Sequence, residues 1–221
     1  GINPSSLSRE VPISFPGPEG QLEGLWRPPA PGNNPRGVVV VAHPHPAYQG
    51  TMLNKVVFHL ARVFNHDATF ASLRFNFRGV GGSDGTYDEG KGEIDDVTYA
   101  WKEARRRVPK GCLLGAGFSF GSAMTLYAAA QAGSDLRPTA LALVGIPMRL
   151  FDLPLPFPHP LPLAAVHGEH DQYTHPEKVR DYLNLWPAPA QFHIEPGADH
   201  FLEGHLPATM RFLSQSLQSA L

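Results

Sequence analysis

Apolar and polar positions alternate along this chain in two distinct rhythms, and the switches between them mark its elements. Gly37-Val38-Val39-Val40-Val41-Ala42 is a continuous β-branched run, the pattern of a strand covered on both faces. Leu53, Val56, Val57, Leu60, Ala61 and Phe64 then recur at helical spacing and predict an amphipathic helix over 53–65. From Thr69 to Phe77 the rhythm becomes twofold, with Ala71, Leu73, Phe75 and Phe77 set against Ser72, Arg74 and Asn76, which predicts a strand. A second helix is expected over about 93–108, its buried face marked by Val97, Ala100, Trp101, Ala104 and Val108. Acidic Glu93, Asp95 and Asp96 open it and Arg105, Arg106 and Arg107 close it, as the helix dipole favours.

The alternation continues. Cys112 to Ala116 is a buried-strand candidate, Ser122 to Gln131 an alanine-rich helix, and Thr139 to Ile146 another apolar strand. Leu163 to Val166, a helix from Pro176 to Trp186, a strand from Gln191 to Ile194 and a helix carrying Leu206, Met210, Leu213 and Leu217 complete the chain. Strands that alternate with helices predict a mostly parallel α/β sheet with helices on both faces.

Two stretches depart from this rhythm. Residues 1–36 are rich in proline and read as an antiparallel edge. In it Val11 to Phe15 and Leu22 to Trp26 form a hairpin around Pro16-Gly17-Pro18-Glu19-Gly20, where proline fixes φ and glycine permits positive φ. Pro147 to Pro162 has no strand or helix period. It is too short for a large cap domain and reads as an ordered loop that either walls an apolar pocket or packs over the sheet edge. No internal repeat or linker interrupts the chain, so residues 1–221 are expected to form one domain.

The chemistry is expected at Leu113 to Met124, where an apolar run breaks at a serine between glycines and resumes as helix. Gly117-Phe118-Ser119-Phe120-Gly121 has the G-x-S-x-G form of a nucleophile elbow, whose strained turn lifts the serine hydroxyl out of the sheet. Taken alone, this pentapeptide also fits a plain strand-to-helix turn. Sites in open parallel sheets form beyond the carboxyl ends of the strands, and His45, Ser119, Asp171 and His200 each follow a predicted strand. In His43-Pro44-His45-Pro46 the flanking prolines have no N–H, so His45 is left as a fixed backbone donor suited to one arm of an oxyanion hole. The alternative is a rigid loop with surface histidines.

Composition narrows the remaining choices. Lys and Arg total 18 against 20 Asp and Glu, a net charge of −2, which gives a nucleic acid or an anionic membrane nothing to attract. No apolar run reaches the roughly 18 residues of a membrane span, and the N-terminus has no basic stretch followed by an apolar one. One cysteine, Cys112, fits a reducing compartment, and a cytoplasmic location is expected. The glycine-rich Arg78-Gly79-Val80-Gly81-Gly82-Ser83-Asp84-Gly85 lacks the Gly-Lys-Ser/Thr of a phosphate loop. His43 and His45 have no Asp, Glu or Cys nearby at ligand spacing, so neither a metal nor another cofactor is expected.

From about Val38 onward the sequence resembles a small bacterial α/β-hydrolase related to dienelactone hydrolases and carboxylesterases. The resemblance rests on His43-Pro44-His45-Pro46, Arg78-Gly79-Val80-Gly81-Gly82-Ser83, Gly117-Phe118-Ser119-Phe120-Gly121, His167-Gly168-Glu169-His170-Asp171 and Asp199-His200-Phe201. The order Ser119, Asp171, His200 is that family's order. It implies Ser119 as nucleophile, His200 as base and Asp171 as orienting acid, with the N–H groups of Phe120 and His45 as oxyanion donors. Glu169 and Asp199 are rivals for the acid, but Asp199 adjoins His200, and consecutive side chains seldom converge. His43, His159, His170 and His205 read as surface or hydrogen-bonded residues, His167 as packing at a strand end, and His193 as structural within the last strand. The sequence departs from dienelactone hydrolase in having serine for its cysteine nucleophile, and from the usual His-Gly oxyanion loop in having His-Pro.

The expected activity is that of a serine carboxylesterase acting on small-molecule acyl esters, with an aliphatic or aromatic acyl group favoured by the apolar 150–157 segment. A peptidase, lactonase, thioesterase or acyltransferase would use the same three residues. The contrasting alternative is a catalytically idle scaffold that binds a small ligand or a partner protein.

Overall fold

The computed structural model describes residues 9–32, 34–66 and 69–221. Residues 1–8 of the expected N-terminal edge, and Asn33 in the loop after it, lie outside the described residues. Strands β1 (Val11–Gly17) and β2 (Gly20–Arg27) form the expected hairpin. Both strands run further into the Pro16–Gly20 stretch than its prolines suggest, because pairing continues through Pro16 opposite Gln21 to Gly17 opposite Gly20 and leaves only Pro18-Glu19 as the turn.

The parallel strands are β3 (Gly37–Ala42), β4 (Phe70–Phe75), β5 (Cys112–Phe118), β6 (Ala140–Val144), β7 (Leu163–Gly168) and β8 (Ala190–Glu195). They join the hairpin in one eight-stranded sheet of order β1-β2-β4-β3-β5-β6-β7-β8, in which only the β1/β2 and β2/β4 pairs are antiparallel. Parallel neighbours cannot be joined by tight turns, so helices return the chain over the two faces. The helices are α1 (Lys55–Asn65), α2 (Gly92–Arg107), α3 (Phe120–Gln131), α4 (Pro176–Leu183) and α5 (Leu206–Ser216). Helix α1 starts two residues later than its apolar stripe because Asn54 caps it. The Asn54 side-chain oxygen accepts the N–H groups of Val56 and Val57 at 2.8 and 3.2 Å.

The twofold strand rhythm divides the core into two layers. Val38 and Val40 face α2 and α3 with Leu73, Leu113, Trp101 and Met124, whereas Val39 and Val41 face α1 and α5 with Leu114, Val144, Leu60 and Leu213. Nothing in residues 145–162 is helix or strand, so no cap domain rises between β6 and β7. That segment is nonetheless held down. Leu153, Phe157 and Leu161 are buried, and Phe157 stacks on Trp186 with ring centroids 4.1 Å apart. The Tyr127 hydroxyl donates to the Asp152 carbonyl, Tyr182 to Pro154 and the Trp186 indole to Leu161. Phe157 belongs to the core layer that faces α2 and α3, and Phe151 reaches the Phe120 ring at 5.8 Å.

Candidate active site

Strand β5 ends at Phe118, and Ser119 turns the chain into α3 with φ 56° and ψ −120°. Positive φ is costly for a residue with a side chain, and the surroundings impose it. The Ser119 N–H still donates to Val144 as a strand residue would, while its carbonyl already accepts the N–H groups of Ser122 and Ala123 and the Ser122 hydroxyl. Two glycines let the turn close. A Cβ on Gly117 would lie 2.5 Å from the Gly121 backbone, and one on Gly121 would lie 2.1 Å from the Ala42 carbonyl oxygen. The second approach seats the first turn of α3 against the end of β3, where His43-Pro44-His45-Pro46 begins.

The loops after β7 and β8 bring up the partners. They are tied together at Gly168, where a Cβ would sit 2.2 Å from the Asp199 carbonyl oxygen, and by the His170 N–H donating to Ala198. Asp171 is buried, and its Oδ1 accepts the backbone N–H groups of Tyr173 and Thr174 at 2.8 and 2.9 Å. Its Oδ2 lies 2.5 Å from Nδ1 of His200, whose Nε2 lies 3.0 Å from Ser119 Oγ. With Nδ1–H donated to the carboxylate, Nε2 is free to accept the serine proton. The structure therefore brings Ser119, His200 and Asp171 into one hydrogen-bonded chain from three distant stretches of sequence.

Burial alone would push the Asp171 carboxyl upward. The donated hydrogen bond and charge of His200, with the Thr174 N–H, outweigh it and hold Asp171 below the usual carboxylate range. The His200 ring is packed as well as bonded, stacked on Phe118 at 5.1 Å and met edge-on by Tyr173 at 4.8 Å. The rival acids are engaged elsewhere. Glu169 accepts the Gly197 N–H, and Asp199 accepts those of Phe201 and Glu203.

At the other side of Ser119, His45 opens a single 3-10 turn, Pro46–Tyr48, and its ring lies 5.0 Å from that of Phe120. The His45 Nδ1 accepts the Ala47 N–H at 3.1 Å, which places the ring proton on Nε2, 3.1 Å from the Tyr87 hydroxyl. Desolvation lowers its pKa from the ordinary histidine value. The backbone N–H groups of His45 and Phe120 are the expected oxyanion donors, and among the described residues neither donates in a turn, loop or cap hydrogen bond.

Five further histidines are occupied. His43 is buried, its Nε2 accepting the Phe77 N–H at 3.0 Å and its Nδ1–H donating to Pro44, and desolvation lowers its pKa to about 4. His159 bonds the Ala130 carbonyl, His193 and His205 share Glu195, and His170 meets Glu169. Among the described residues no group of three or more His, Cys, Asp or Glu is placed to hold a metal ion, and no helix is long and apolar enough to cross a membrane.

Three neighbours of the site escape a reading of the sequence. Tyr87 on the His45 ring and Gln172, whose side chain accepts the His200 N–H, belong to no motif. His167 packs at its strand end as expected, yet it also reaches Asp171. Arg78, from the glycine-rich loop, is buried in a bidentate pair with Asp96 of α2 and also donates to the Gly92 carbonyl. That loop thus anchors β4 to α2.

No protein-family model matches the chain. An uncharacterized protein, RP471, from Rickettsia prowazekii (strain Madrid E) is 33% identical over 197 residues, 86% of this chain and 81% of that one. Among solved structures, an α/β serine hydrolase homologue from Coxiella burnetii is 31% identical with a TM-score of 0.80, covering 94% of this chain and 97% of its own. XC6422 from Xanthomonas campestris, described as an α/β serine hydrolase without a lid, is 28% identical with a TM-score of 0.86, covering 100% of this chain and 98% of its own. Fold, site geometry and these likenesses agree: the chain belongs to the small α/β-hydrolases, the family of the α/β serine hydrolases that it matches.

Proposed function

We propose that the protein is a carboxylesterase that cleaves small acyl esters through an acyl-serine intermediate, with Ser119 as nucleophile, His200 as general base and then acid, and Asp171 as the group that orients it. The observation that carries this reading is the unbroken sequence of contacts from Ser119 Oγ to His200 Nε2 at 3.0 Å and from His200 Nδ1 to Asp171 Oδ2 at 2.5 Å. A serine hydroxyl is a weak nucleophile at neutral pH and needs an imidazole within this distance to take its proton.

In the first half-reaction, Oγ adds to the ester carbonyl carbon as its proton passes to Nε2. The oxyanion is received by the N–H groups of Phe120 and His45, each worth roughly 3 kcal/mol to the transition state. Collapse expels the alcohol, which leaves with the proton from Nε2. Water then repeats the sequence on the acyl-serine and releases the acid.

Aromatic side chains on both sides of the serine support an apolar ester. Tyr48, Tyr87 and Phe151 gather around His45 and Phe120, and Tyr173 and Phe201 flank His200. Tyr48 and Tyr173 are exposed, and partly exposed rings of this kind bind apolar groups at low entropic cost. Esters of one alcohol with acyl chains from two to twelve carbons, assayed against wild type and Ser119→Ala, test the proposal. Turnover that depends on Ser119 and favours apolar acyl groups is expected. Absence of turnover across the series, or turnover unchanged in Ser119→Ala, would overturn it.

A further inference from the structure

A second cavity lies at the end of the sheet away from Ser119. Arg27 closes β2, Arg36 precedes β3 and Phe70 opens β4. Strand β2 runs antiparallel to β4, so all three residues sit at the amino-terminal edge of the parallel strands, whereas Ser119 leaves β5 at the carboxyl edge. Arg62, in the last turn of α1, and Met210 and Arg211 of α5 border the same cavity, whose volume is about 940 Å³. Its floor is apolar, with Phe64, Phe70 and Met210 buried. Among the described residues its lining includes these four arginines and two histidines, and no Asp or Glu.

Elsewhere in the fold arginines meet carboxylates, Arg74 with Glu10, Arg78 with Asp96, and Arg106 and Arg107 with Glu103. The guanidinium groups of Arg62 and Arg211 form no hydrogen bond or ion pair among the described residues. Arg36 donates to the Leu221 carbonyl oxygen at 3.0 Å and lies 5.6 Å over the Phe70 ring. Burial lowers the Arg27 pKa from its ordinary value. The Glu10 carboxylate opposes that shift, and the charges of Arg62 and Arg74 add to it. Positive charge is thus gathered over an apolar floor.

We propose that this cavity binds a small phosphorylated organic anion, its phosphoryl groups held by the arginines and its apolar or aromatic body seated on Phe64, Phe70 and Met210. A guanidinium fork matches the oxygens of a phosphoryl group, and a diphosphate brings enough charge to engage several forks at once, which one carboxylate does not. The volume lies within the roughly 300–1,000 Å³ of small-molecule sites and has room for a ring as well as the phosphates. With a net charge of −2 the whole chain gives a long polyanion no general attraction, so the local cluster favours a ligand that ends within the cavity.

Calorimetric titration with ADP, inorganic pyrophosphate and adenosine, each without divalent metal, tests the proposal on wild type, Arg62→Gln, Arg211→Gln and, as a control on α4, Lys178→Gln. Arg62 and Arg211 are exposed, so the Tm of the free variants should equal that of wild type. ADP is expected to saturate one site with Kd below about 1 mM, with pyrophosphate and adenosine each about tenfold weaker or more. Each arginine variant should weaken ADP by about tenfold, and Lys178→Gln should not change it. The affinity in Ser119→Ala should equal that of wild type, because the two sites lie at opposite ends of the sheet. Absence of saturable ADP binding, or an affinity unchanged in Arg62→Gln and Arg211→Gln, would overturn the proposal. Pyrophosphate binding as tightly as ADP would refute the apolar seat, and loss of ADP binding in Ser119→Ala would place the ligand at the other site.

Discussion

Acid should weaken this fold through one residue in particular, His43. Its ring bridges β3 and the end of β4 by accepting the Phe77 N–H, and it has no exposed surface. Desolvation lowers its pKa from 6.5 to about 4. A histidine in the unfolded chain takes up a proton near pH 6.5, so between pH 6.5 and 4 the unfolded state binds more protons and stability falls as pH falls. At about 1.4 kcal/mol per unit, the drop from 6.5 to about 4 corresponds to roughly 3.5 kcal/mol in full and about 2 to 3 kcal/mol between pH 7 and pH 4.5. His167 also takes up a proton on unfolding in this window, so the His43 contribution is isolated by comparison with His43→Gln. The glutamine oxygen can accept the Phe77 N–H and has no proton to gain. Urea unfolding of both proteins at the two pH values provides the measurement. His43→Gln is expected to be the less stable at pH 7, and the gap should shrink by about 2 to 3 kcal/mol at pH 4.5. A gap independent of pH would refute the assignment of His43 as a neutral buried strut.

Two further outcomes follow from the packing. Arg78→Met should cost about 3–5 kcal/mol at pH 7, because it strips the guanidinium from the fully buried Asp96 carboxylate. Burial already raises Asp96 above its ordinary pKa, so the loss should lessen toward low pH, and adding Asp96→Asn should recover part of it in denaturant titrations. Gly121→Ala forces a Cβ to within 2.1 Å of the Ala42 carbonyl oxygen, a backbone atom that cannot swing away. A cost of about 1–3 kcal/mol is expected, read as a lowered Tm, together with a larger loss of hydrolase activity as α3 moves Ser119 and Phe120. A variant as stable and as active as wild type would contradict that packing.

The sheet and most of the site are legible in the sequence because both are written in short-range terms. Strand β3 is a run of valines, β4 alternates, and α2 is marked by Val97, Ala100, Trp101 and Ala104 with acids first and arginines last. Ser119 is legible because the elbow needs glycines two residues to either side, at the points where the backbone crosses α3 and β3. Asp171 and His200 are legible by their place after strands, since a parallel sheet delivers every such loop to one edge. What escapes the sequence is pairing across the fold. Glu93 and Asp96 read as dipole-favoured acids at a helix start, yet both are buried, Glu93 accepting the N–H groups of Asp88 and Gly90 and Asp96 holding Arg78. Tyr87 likewise acquires its partner, the His45 ring, only when loops distant in sequence meet. The 147–162 segment is opaque for another reason. Its contacts are single anchors to α3 and α4 with no repeat, and periodicity detects only repeats.

The most direct measurement of the central claim is where a fluorophosphonate attaches. Mass spectrometry of the labelled protein at neutral pH is expected to find one covalent adduct on Ser119, formed quickly in wild type, slowly in His200→Gln and not at all in Ser119→Ala. No adduct in wild type, or an adduct on another residue that survives Ser119→Ala, would contradict the account.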